Sequence, residues 1–359
     1  MKSLLLILAL AAALIAPTHA QAEWANKNPS TSAAVRSITL SNGQMVGGRT
    51  RRQVEVWASG DGGANWKQIG TAAPSKPGVV YGDGSFLSDG GREVYCAFRE
   101  HEGKEWRVIV CRSKDGGVTW AEDSVVARTT SGRFIGAPEL WFSRNGDIQC
   151  YYDDEETPAK AGHPGSQWIS MASRPRRANG KAWRASVVAS RPLDEKRLSR
   201  DGMATVCNLS GKEMMLVCEG VDPDKPDVNC LFSIRSYNNG KTWDYASRRK
   251  FWAPVKSGVA FNAYCPTVVR IGDSLHVIFC TDDDFPAPSL DSAPPGKRNA
   301  HIKLIRTLDS FDTWGELETV DASRETMYTP GLIALPSHEL ISTIDLLSGG
   351  KQTVKFRKH

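Results

Sequence analysis

The sequence predicts an all-β protein folded as a six-bladed β-propeller, and three observations lead to this prediction. A short motif recurs along the chain, strand-like segments precede its copies, and no long amphipathic helical pattern interrupts the series. Repeated four-stranded sheets arranged around an axis are the usual architecture for such a repeat. We therefore expect a single propeller domain over residues 23–359.

The repeated motif has the form S-x-D-x-G-x-T-W, which is known as the Asp box. Its copies are Ser59–Trp66, Ser113–Trp120, Ser236–Trp243 and a weaker Thr307–Trp314, with a degenerate fifth copy over Ser173–Trp183. An Asp or Asn side chain accepts backbone N–H groups across a tight turn, Gly supplies a positive φ, and Trp packs back as an apolar plug. The box residues expected to be structural, and not catalytic, are Asp61, Asp115, Asn238 and Asp309.

The spacing of the boxes gives the number of blades. Val54–Trp57 and Val108–Cys111, which precede the first two boxes, have the alternating or apolar pattern of strands. Asp61 and Asp115 lie about 54 residues apart, and a mature chain of about 337 residues divides into six such units. A proline-rich stretch, 282–295, predicts a long loop. The two chain ends are expected to share one blade and so to close the ring.

The first 22 residues have the features of a secretory signal peptide. Lys2 precedes the apolar run Leu4–Pro17, and Ala20 and Ala22 form an A-x-A-like cleavage site. No other stretch approaches the roughly 20 apolar residues that a membrane span needs. We therefore predict export to the periplasm or the extracellular space.

Composition excludes several classes of partner and cofactor. The 45 Lys and Arg residues nearly balance the 40 Asp and Glu residues, and no long basic block favours nucleic-acid binding. None of the eight cysteines forms a C-x-x-C pair, so neither a metal site nor another cofactor is expected. Buried thiols are the simpler expectation for the cysteines, and disulfides Cys96–Cys111 and Cys265–Cys280 are the alternative.

Four segments between the boxes carry the candidate functional residues, and together with the boxes they resemble the sialidase superfamily. The segments are Ala34–Gly43, Gly136–Glu155, Arg200–Gly220 and Tyr328–Pro336. They look most like the exo-arabinanase family, which releases arabinobiose from the ends of arabinan chains. That family has a P-E-x-L segment, a strand ending Y-Y-S-D-E and an R-x-G-M strand, to which Pro138–Leu140, Tyr151–Glu155 and Arg200–Met203 are similar.

The resemblance implies an exo-acting glycoside hydrolase that acts on an oligosaccharide or polysaccharide. Glycoside cleavage needs one carboxyl that donates a proton and a second that attacks the sugar or activates water. By resemblance these are Glu139 and Glu219, in roles left open, with Tyr328 in the same site. The residues predicted to bind substrate are Arg36, Arg200, Arg235, Arg298 and Asp154.

Two alternatives remain open at this point. The first is an exo-α-sialidase, in which Glu219 and Tyr328 form the catalytic pair and three arginines clamp the substrate carboxylate. The candidate arginines are Arg36, Arg235 and Arg298. The sialidase R-I-P segment here begins Arg36-Ser37, and an acid/base loop is missing because residues 47–58 contain a single acid, Glu55. The second alternative is a non-catalytic carbohydrate- or protein-binding propeller.

Overall fold

A computed structural model gives the structure of the protein and describes ten segments of the chain. They are residues 24–28, 35–50, 52–176, 182–222, 225–289, 299–309, 311–322, 327–335, 337–346 and 351–357. The predicted leader therefore lies outside the described residues, as does part of the degenerate fifth box.

The all-β propeller prediction is confirmed, and the described residues form six four-stranded antiparallel sheets. Strand β1 (Ala25–Asn28) belongs to the last sheet. The first sheet contains β2 (Val35–Thr39), β3 (Met45–Thr50), β4 (Val54–Ser59) and β5 (Lys67–Ala73), and the second β6 (Val80–Leu87), β7 (Val94–Glu102), β8 (Glu105–Ser113) and β9 (Ala121–Thr129). The third contains β10 (Ile135–Phe142), β11 (Asp147–Asp154), β12 (Trp168–Pro175) and β13 (Val187–Ser190).

The remaining sheets follow the same order along the chain. The fourth contains β14 (Gly202–Asn208), β15 (Met214–Asp222), β16 (Lys225–Ser236) and β17 (Asp244–Trp252). The fifth contains β20 (Ala263–Ile271), β21 (Ser274–Thr281), β22 (His301–Thr307) and β23 (Trp314–Asp321), and the sixth β24 (Met327–Ala334), β25 (Leu340–Leu346) and β26 (Lys351–Arg357) with β1. A two-stranded pair, β18 (Val255–Lys256) and β19 (Val259–Ala260), and one helix, α1 (Glu156–Lys160), complete the described elements.

The sheets are arranged in a closed ring. The first strands β2, β6, β10, β14, β20 and β24 each pack against the first strand of the next sheet, and β24 contacts β2. Strand β1 pairs with β26, so the two ends of the described chain meet in the sixth sheet. Each sheet buries both faces against its neighbours, which is why strands such as β15 are apolar over most of their length.

The predicted box residues make the local hydrogen bonds of a tight turn. Asp61 Oδ1 accepts the backbone N–H of Asn65 at 2.9 Å, and the Trp66 indole donates to the Gly63 carbonyl at 3.0 Å. These bonds, led by the one from Asn65, lower the pKa of Asp61 to about 2. Equivalent backbone N–H groups are accepted by Asp115, Asn238 and Asp309.

All eight cysteines are buried and none of them forms a disulfide in the structure, which leaves the disulfide alternative without support. Cys96 and Cys111 do face each other across β7 and β8, as neighbouring strands require. In the described part of the chain no helix is long and apolar enough to cross a membrane.

Candidate active site

Six residues with the same unusual backbone conformation surround one end of the propeller axis. Each first strand has a register shift close to its start, at a non-glycine residue whose φ lies between 41° and 56°. These residues are Arg36, Asp83, Ala137, Met203, Cys265 and Thr329. Positive φ is strained for such side chains and persists where the surrounding structure holds it, often beside functional sites. We call this set the bulge ring.

The second strand of each sheet places one residue opposite the position just before the bulge. In sheet order these residues are Gly48, Arg99, Asp153, Glu219, Cys280 and Asp345. Three consecutive sheets therefore bring Arg99, Asp153 and Glu219 to equivalent positions around the axis. Repetition of the fold, and not proximity in sequence, assembles this charged group.

Asp153 and Glu219 lie on either side of Gly202. A Cβ atom on Gly202 would lie 3.1 Å from Asp153 Oδ2 and 3.6 Å from Glu219 Oε1, so these two oxygens are at most about 7 Å apart. Each carboxylate accepts the backbone N–H of a bulge residue in the next sheet: Met203 donates to Asp153 at 3.0 Å and Cys265 to Glu219 at 2.5 Å. The two acids are thus neighbours with equivalent backbone support.

Burial raises the pKa of Asp153 well above its ordinary value, and the negative charges of Glu219 and Asp83 raise it further. The Met203 N–H and the positive charge of Arg36 oppose this rise. Because desolvation dominates, Asp153 keeps its proton at pH values where an exposed Asp is ionised. A protonated acid beside a second carboxylate is the combination that acid-assisted bond cleavage uses.

Arg99 and Asp83 form the next part of the pocket. The Arg99 guanidinium pairs with the Asp83 carboxylate and lies 5.6 and 5.7 Å from the ring centroids of Trp106 and Phe134. Gly82 and Gly136 leave the space that the Arg99 side chain occupies. The site therefore contains a fixed cation next to Asp153.

Arg36 brings a second cation to the axis. Its Nε, Nη1 and Nη2 atoms are buried, and none has a hydrogen-bond partner among the described residues. Its charge acts on the pKa values of both Asp153 and Glu139, so the guanidinium lies near these two acids. A buried guanidinium without partners is costly unless a ligand or water accepts its hydrogen bonds.

Glu139 lies deeper along the axis, two residues beyond the bulge at Ala137. Its Oε2 atom accepts a hydrogen bond from Ser85 at 2.9 Å, and burial raises its pKa against the effects of Arg36 and Ser85. With Arg36, Thr205 and other residues it lines a cavity of about 370 Å³ along the axis. The pairing of Glu139 with Glu219 stays a prediction, and the acid that lies beside Glu219 across Gly202 is Asp153.

The other predicted catalytic residue, Tyr328, lies in β24. Its Cα is paired with that of Asp345, and it immediately precedes the bulge residue Thr329. The backbone position of Tyr328 is therefore equivalent to that of Gly202. Arg298 lies outside the described residues.

Two of the predicted substrate-binding residues, Asp154 and Arg235, have side chains engaged by other protein groups. Asp154 is buried and accepts the N–H groups of Glu156 and Thr157, both at 2.8 Å, and the Ser170 hydroxyl at 2.6 Å, so its carboxylate holds the start of α1. Arg235 lies at the end of β16 beside the third box and pairs with Glu213 and Asp312. Both side chains are engaged in interactions away from the bulge ring.

Arg200 is placed at the rim of the pocket. It pairs with Glu155 at 3.1 Å and donates to Gln167 Oε1 at 3.4 Å, and the Gln167 amide in turn lies 3.4 Å from Asp153 Oδ2. Arg200 is therefore linked to Asp153 through the side chain of Gln167.

The sequence did not single out Asp83, Arg99 or Gln167, and Asp153 was noted only within the segment Tyr151–Glu155. One signal was available for Asp83. It stands between two glycines, Gly82 and Gly84, in a strand whose neighbours are apolar, which marks a bulge and a close approach of another group.

No protein-family model matches the chain, and no curated protein matches it. Several solved structures, in contrast, have a similar fold. A GH93 α-L-arabinofuranosidase of Fusarium graminearum with arabinobiose has a TM-score of 0.64 at 17% identity, over 94% of this chain and 96% of that one. The Penicillium chrysogenum α-L-arabinanase complexed with arabinobiose has a TM-score of 0.64 at 17% identity, over 94% of this chain and 97% of that one. A mutant Trypanosoma rangeli sialidase displaying trans-sialidase activity gives 0.58 at 12% identity, over 92% of this chain and 55% of that one. The chain thus has the propeller fold of sialidase-like proteins.

Proposed function

We propose that this chain is an exported glycoside hydrolase that removes terminal units from an arabinose-containing chain. The observation that carries the proposal is the juxtaposition of Asp153 and Glu219 across Gly202, at the level of the bulge ring. Two neighbouring carboxyl groups, one of them protonated, are the minimal apparatus for glycoside cleavage. The arabinobiose bound in two of the similar structures supports arabinose as the sugar.

In this proposal Asp153 is the general acid and Glu219 is the nucleophile or base. The buried Asp153 holds a proton that it donates to the leaving glycosidic oxygen. Glu219 accepts the Cys265 N–H, which favours its carboxylate form and orients it. Carboxyl separations of about 5–5.5 Å characterise retaining enzymes and about 6.5–9.5 Å inverting ones. The upper limit of about 7 Å between Asp153 Oδ2 and Glu219 Oε1 includes the whole retaining range and only the short end of the inverting one.

The remaining ring residues would bind and orient the sugar. The unpartnered Arg36 guanidinium offers hydrogen-bond donors to ring or hydroxyl oxygens, and Tyr328 contributes from the sixth sheet. We assign Glu139 to the layer below, where its charge supports Arg36, and not to the reacting bond. Arg200 would act from the rim through Gln167.

An exo-α-sialidase is the second candidate, and Arg36 is the observation that favours it. A buried guanidinium without partners suits a substrate carboxylate as well as hydroxyl groups. Arg235, the second arginine of the supposed clamp, is held by Glu213 and Asp312 instead. This weakens the sialidase assignment relative to the arabinan-directed one.

A substrate comparison tests the proposal. Purified protein should be incubated with linear arabinan and with a sialyl oligosaccharide, and the products separated by chromatography. We expect a short arabinose oligomer to accumulate from the first time points without intermediate fragments, which indicates exo action. Glu219→Gln should abolish release, whereas Glu155→Gln, a rim acid paired with Arg200, should retain most of it. Release of sialic acid would establish the second candidate, and no cleavage of any glycan would support a binding propeller.

A further inference from the structure

A second cavity lies on the outer flank of the propeller, between the fourth and fifth sheets. It has a volume of about 490 Å³ and is lined by β16, β17 and the fourth box. Its walls combine aromatic rings with cationic groups, among them Phe251, Phe311, Trp314, Arg249 and Lys250. None of these residues belongs to the bulge ring or to the carboxyl pair.

The fourth box differs from the other three at a position whose residue lines this cavity. The position filled by Gly63, Gly117 and Gly240 in the first three boxes, at φ between 78° and 99°, is filled by Phe311 at φ 72°. A bulky side chain at positive φ is strained by roughly 1–3 kcal/mol. This backbone conformation places the Phe311 ring in the cavity wall, and the Arg270 guanidinium lies 5.0 Å from the centroid of that ring.

Two neighbouring aromatic rings lie in the cavity wall. Phe251 and Trp314 stack with centroids 4.1 Å apart and an interplanar angle of 21°, and both are only partly buried. Aromatic side chains that keep some exposed surface beside a cavity are suited to contact the apolar faces of sugar rings. Tyr237, whose side chain is 57% exposed, extends the same wall.

The charges of the cavity are predominantly positive. Arg235 is balanced by Glu213 and Asp312, but the Arg249 guanidinium donates to the backbone carbonyls of Ala246 and Arg248. Arg249 and Lys250 are both exposed on β17. The cavity therefore presents positive charge beside its aromatic surface.

We propose that this cavity is an ancillary binding site for an anionic polysaccharide, such as a chain of uronic acid units. The Phe251–Trp314 stack and Phe311 contact the sugar rings, and Arg249 and Lys250 bind the carboxylates. The site holds the protein on an acidic polymer while the bulge ring faces a separate chain. Binding at this site requires no hydrolysis and is separate from the proposed function.

Binding to polygalacturonate tests the site, with neutral dextran, which is not the proposed substrate, as the uncharged comparison. In affinity electrophoresis of the full chain we expect polygalacturonate to retard the wild-type protein and retardation to fall as ionic strength rises. Arg249→Ala/Lys250→Ala should weaken binding at least tenfold. Phe311→Gly should also weaken it, and it should fold because the other boxes carry Gly at this position.

The matched control is Lys67→Ala/Lys104→Ala, which removes two exposed positive charges from the first and second sheets. It should bind polygalacturonate like the wild type, because general electrostatic attraction is not the proposed cause. The inference is overturned if the wild type does not bind, if both double variants bind equally, or if neutral dextran binds as tightly. These readings are independent of whether the protein cleaves arabinan.

Discussion

Asp153 and Glu219 occupy the same position in neighbouring sheets, and each accepts the backbone N–H of the bulge residue in the sheet that follows. The donors, Met203 and Cys265, have nearly identical φ values of 51° and 52°. One structural device, repeated once around the ring, therefore positions both acids of the proposed catalytic pair. The following predictions depend on this arrangement.

Gly202→Ala should inactivate the protein without unfolding it. The added methyl group would lie 2.8 Å from Gln167 Nε2 and 3.1 Å from Asp153 Oδ2, so the acid must move by a few tenths of an ångström or more. Misplacement of a catalytic group by about 1 Å costs up to roughly 100-fold in rate, and we expect kcat to fall at least tenfold. Gly60→Ala, where a Cβ meets nothing within 4 Å, is the control and should keep full activity.

The activity should fall as the pH rises through the raised pKa of Asp153. A general acid works only while protonated, so Asp153 sets the alkaline limb of the pH profile of kcat/KM. Asp153→Asn should remove that limb from the residual activity. It should also slow substrates with poor leaving groups much more than aryl glycosides, because the latter need little protonation. An unchanged alkaline limb in Asp153→Asn would assign the acid to another residue.

Asp153 also makes folding stability depend on pH. In the unfolded chain Asp153 releases its proton near pKa 3.8, whereas the folded chain retains the proton to higher pH. The contribution of Asp153 to the free energy of unfolding is therefore fully present below pH 3.8, and it is lost as the pH rises through the pKa of the folded state. Asp153→Asn should therefore lose less stability than the wild type between about pH 5 and pH 9. Urea midpoints at both pH values measure the difference. Equal losses in the two proteins would mean that Asp153 titrates normally.

Arg36→Met should separate stability from function. The guanidinium is buried without hydrogen-bond partners among the described residues, so its removal relieves a desolvation cost and should leave the melting temperature unchanged or higher. Because the same group is proposed to bind the sugar, kcat/KM should fall at least 100-fold. Arg235→Met, which breaks pairs with Glu213 and Asp312, should show the opposite pattern of lower stability and intact activity. Intact activity in Arg36→Met would place the sugar elsewhere.

Asp115→Ala should destabilise the second box without affecting the chemistry. Asp115 accepts the Thr119 N–H at 2.9 Å and the Thr119 hydroxyl at 2.6 Å, far from the bulge ring. Losing such local bonds typically costs about 1–2 kcal/mol of unfolding free energy. Denaturant unfolding measures the loss, and kcat for arabinan should remain within twofold of the wild type. A larger loss of activity than of stability would contradict a structural role.

The fold could be predicted from the sequence because the boxes encode local turns that recur along the chain between strand-like segments. Asp61 and Asn65, for example, interact across four residues, and Trp66 closes the same turn. Glu219 was predicted as a catalytic residue because it follows the apolar run Met214–Cys218 and matches a family segment. Local patterns of this kind are visible in a single sequence.

The rest of the site could not be predicted because it depends on register between sheets. Asp153 and Asp154 are adjacent in sequence, yet one faces Glu219 and the other is used to hold α1. Successive side chains of a strand point to opposite faces, so Asp153 and Asp154 differ in direction. Only the pairing of Asp153 with Gly136 shows which of the two faces the axis. Glu139 was predicted as a catalytic acid, and in the structure it lines the axial cavity two residues beyond the bulge at Ala137.

The most direct test compares Asp153→Asn with Glu139→Gln for release of arabinobiose from linear arabinan at one pH. Both are near-isosteric replacements of a buried acid on the third sheet, so differences in folding are minimised. The assignment predicts that Asp153→Asn lowers kcat at least 1000-fold, as a lost acid catalyst does, while Glu139→Gln lowers it no more than about tenfold. The reverse order, with Glu139→Gln inactive and Asp153→Asn active, would contradict the pairing of Asp153 with Glu219.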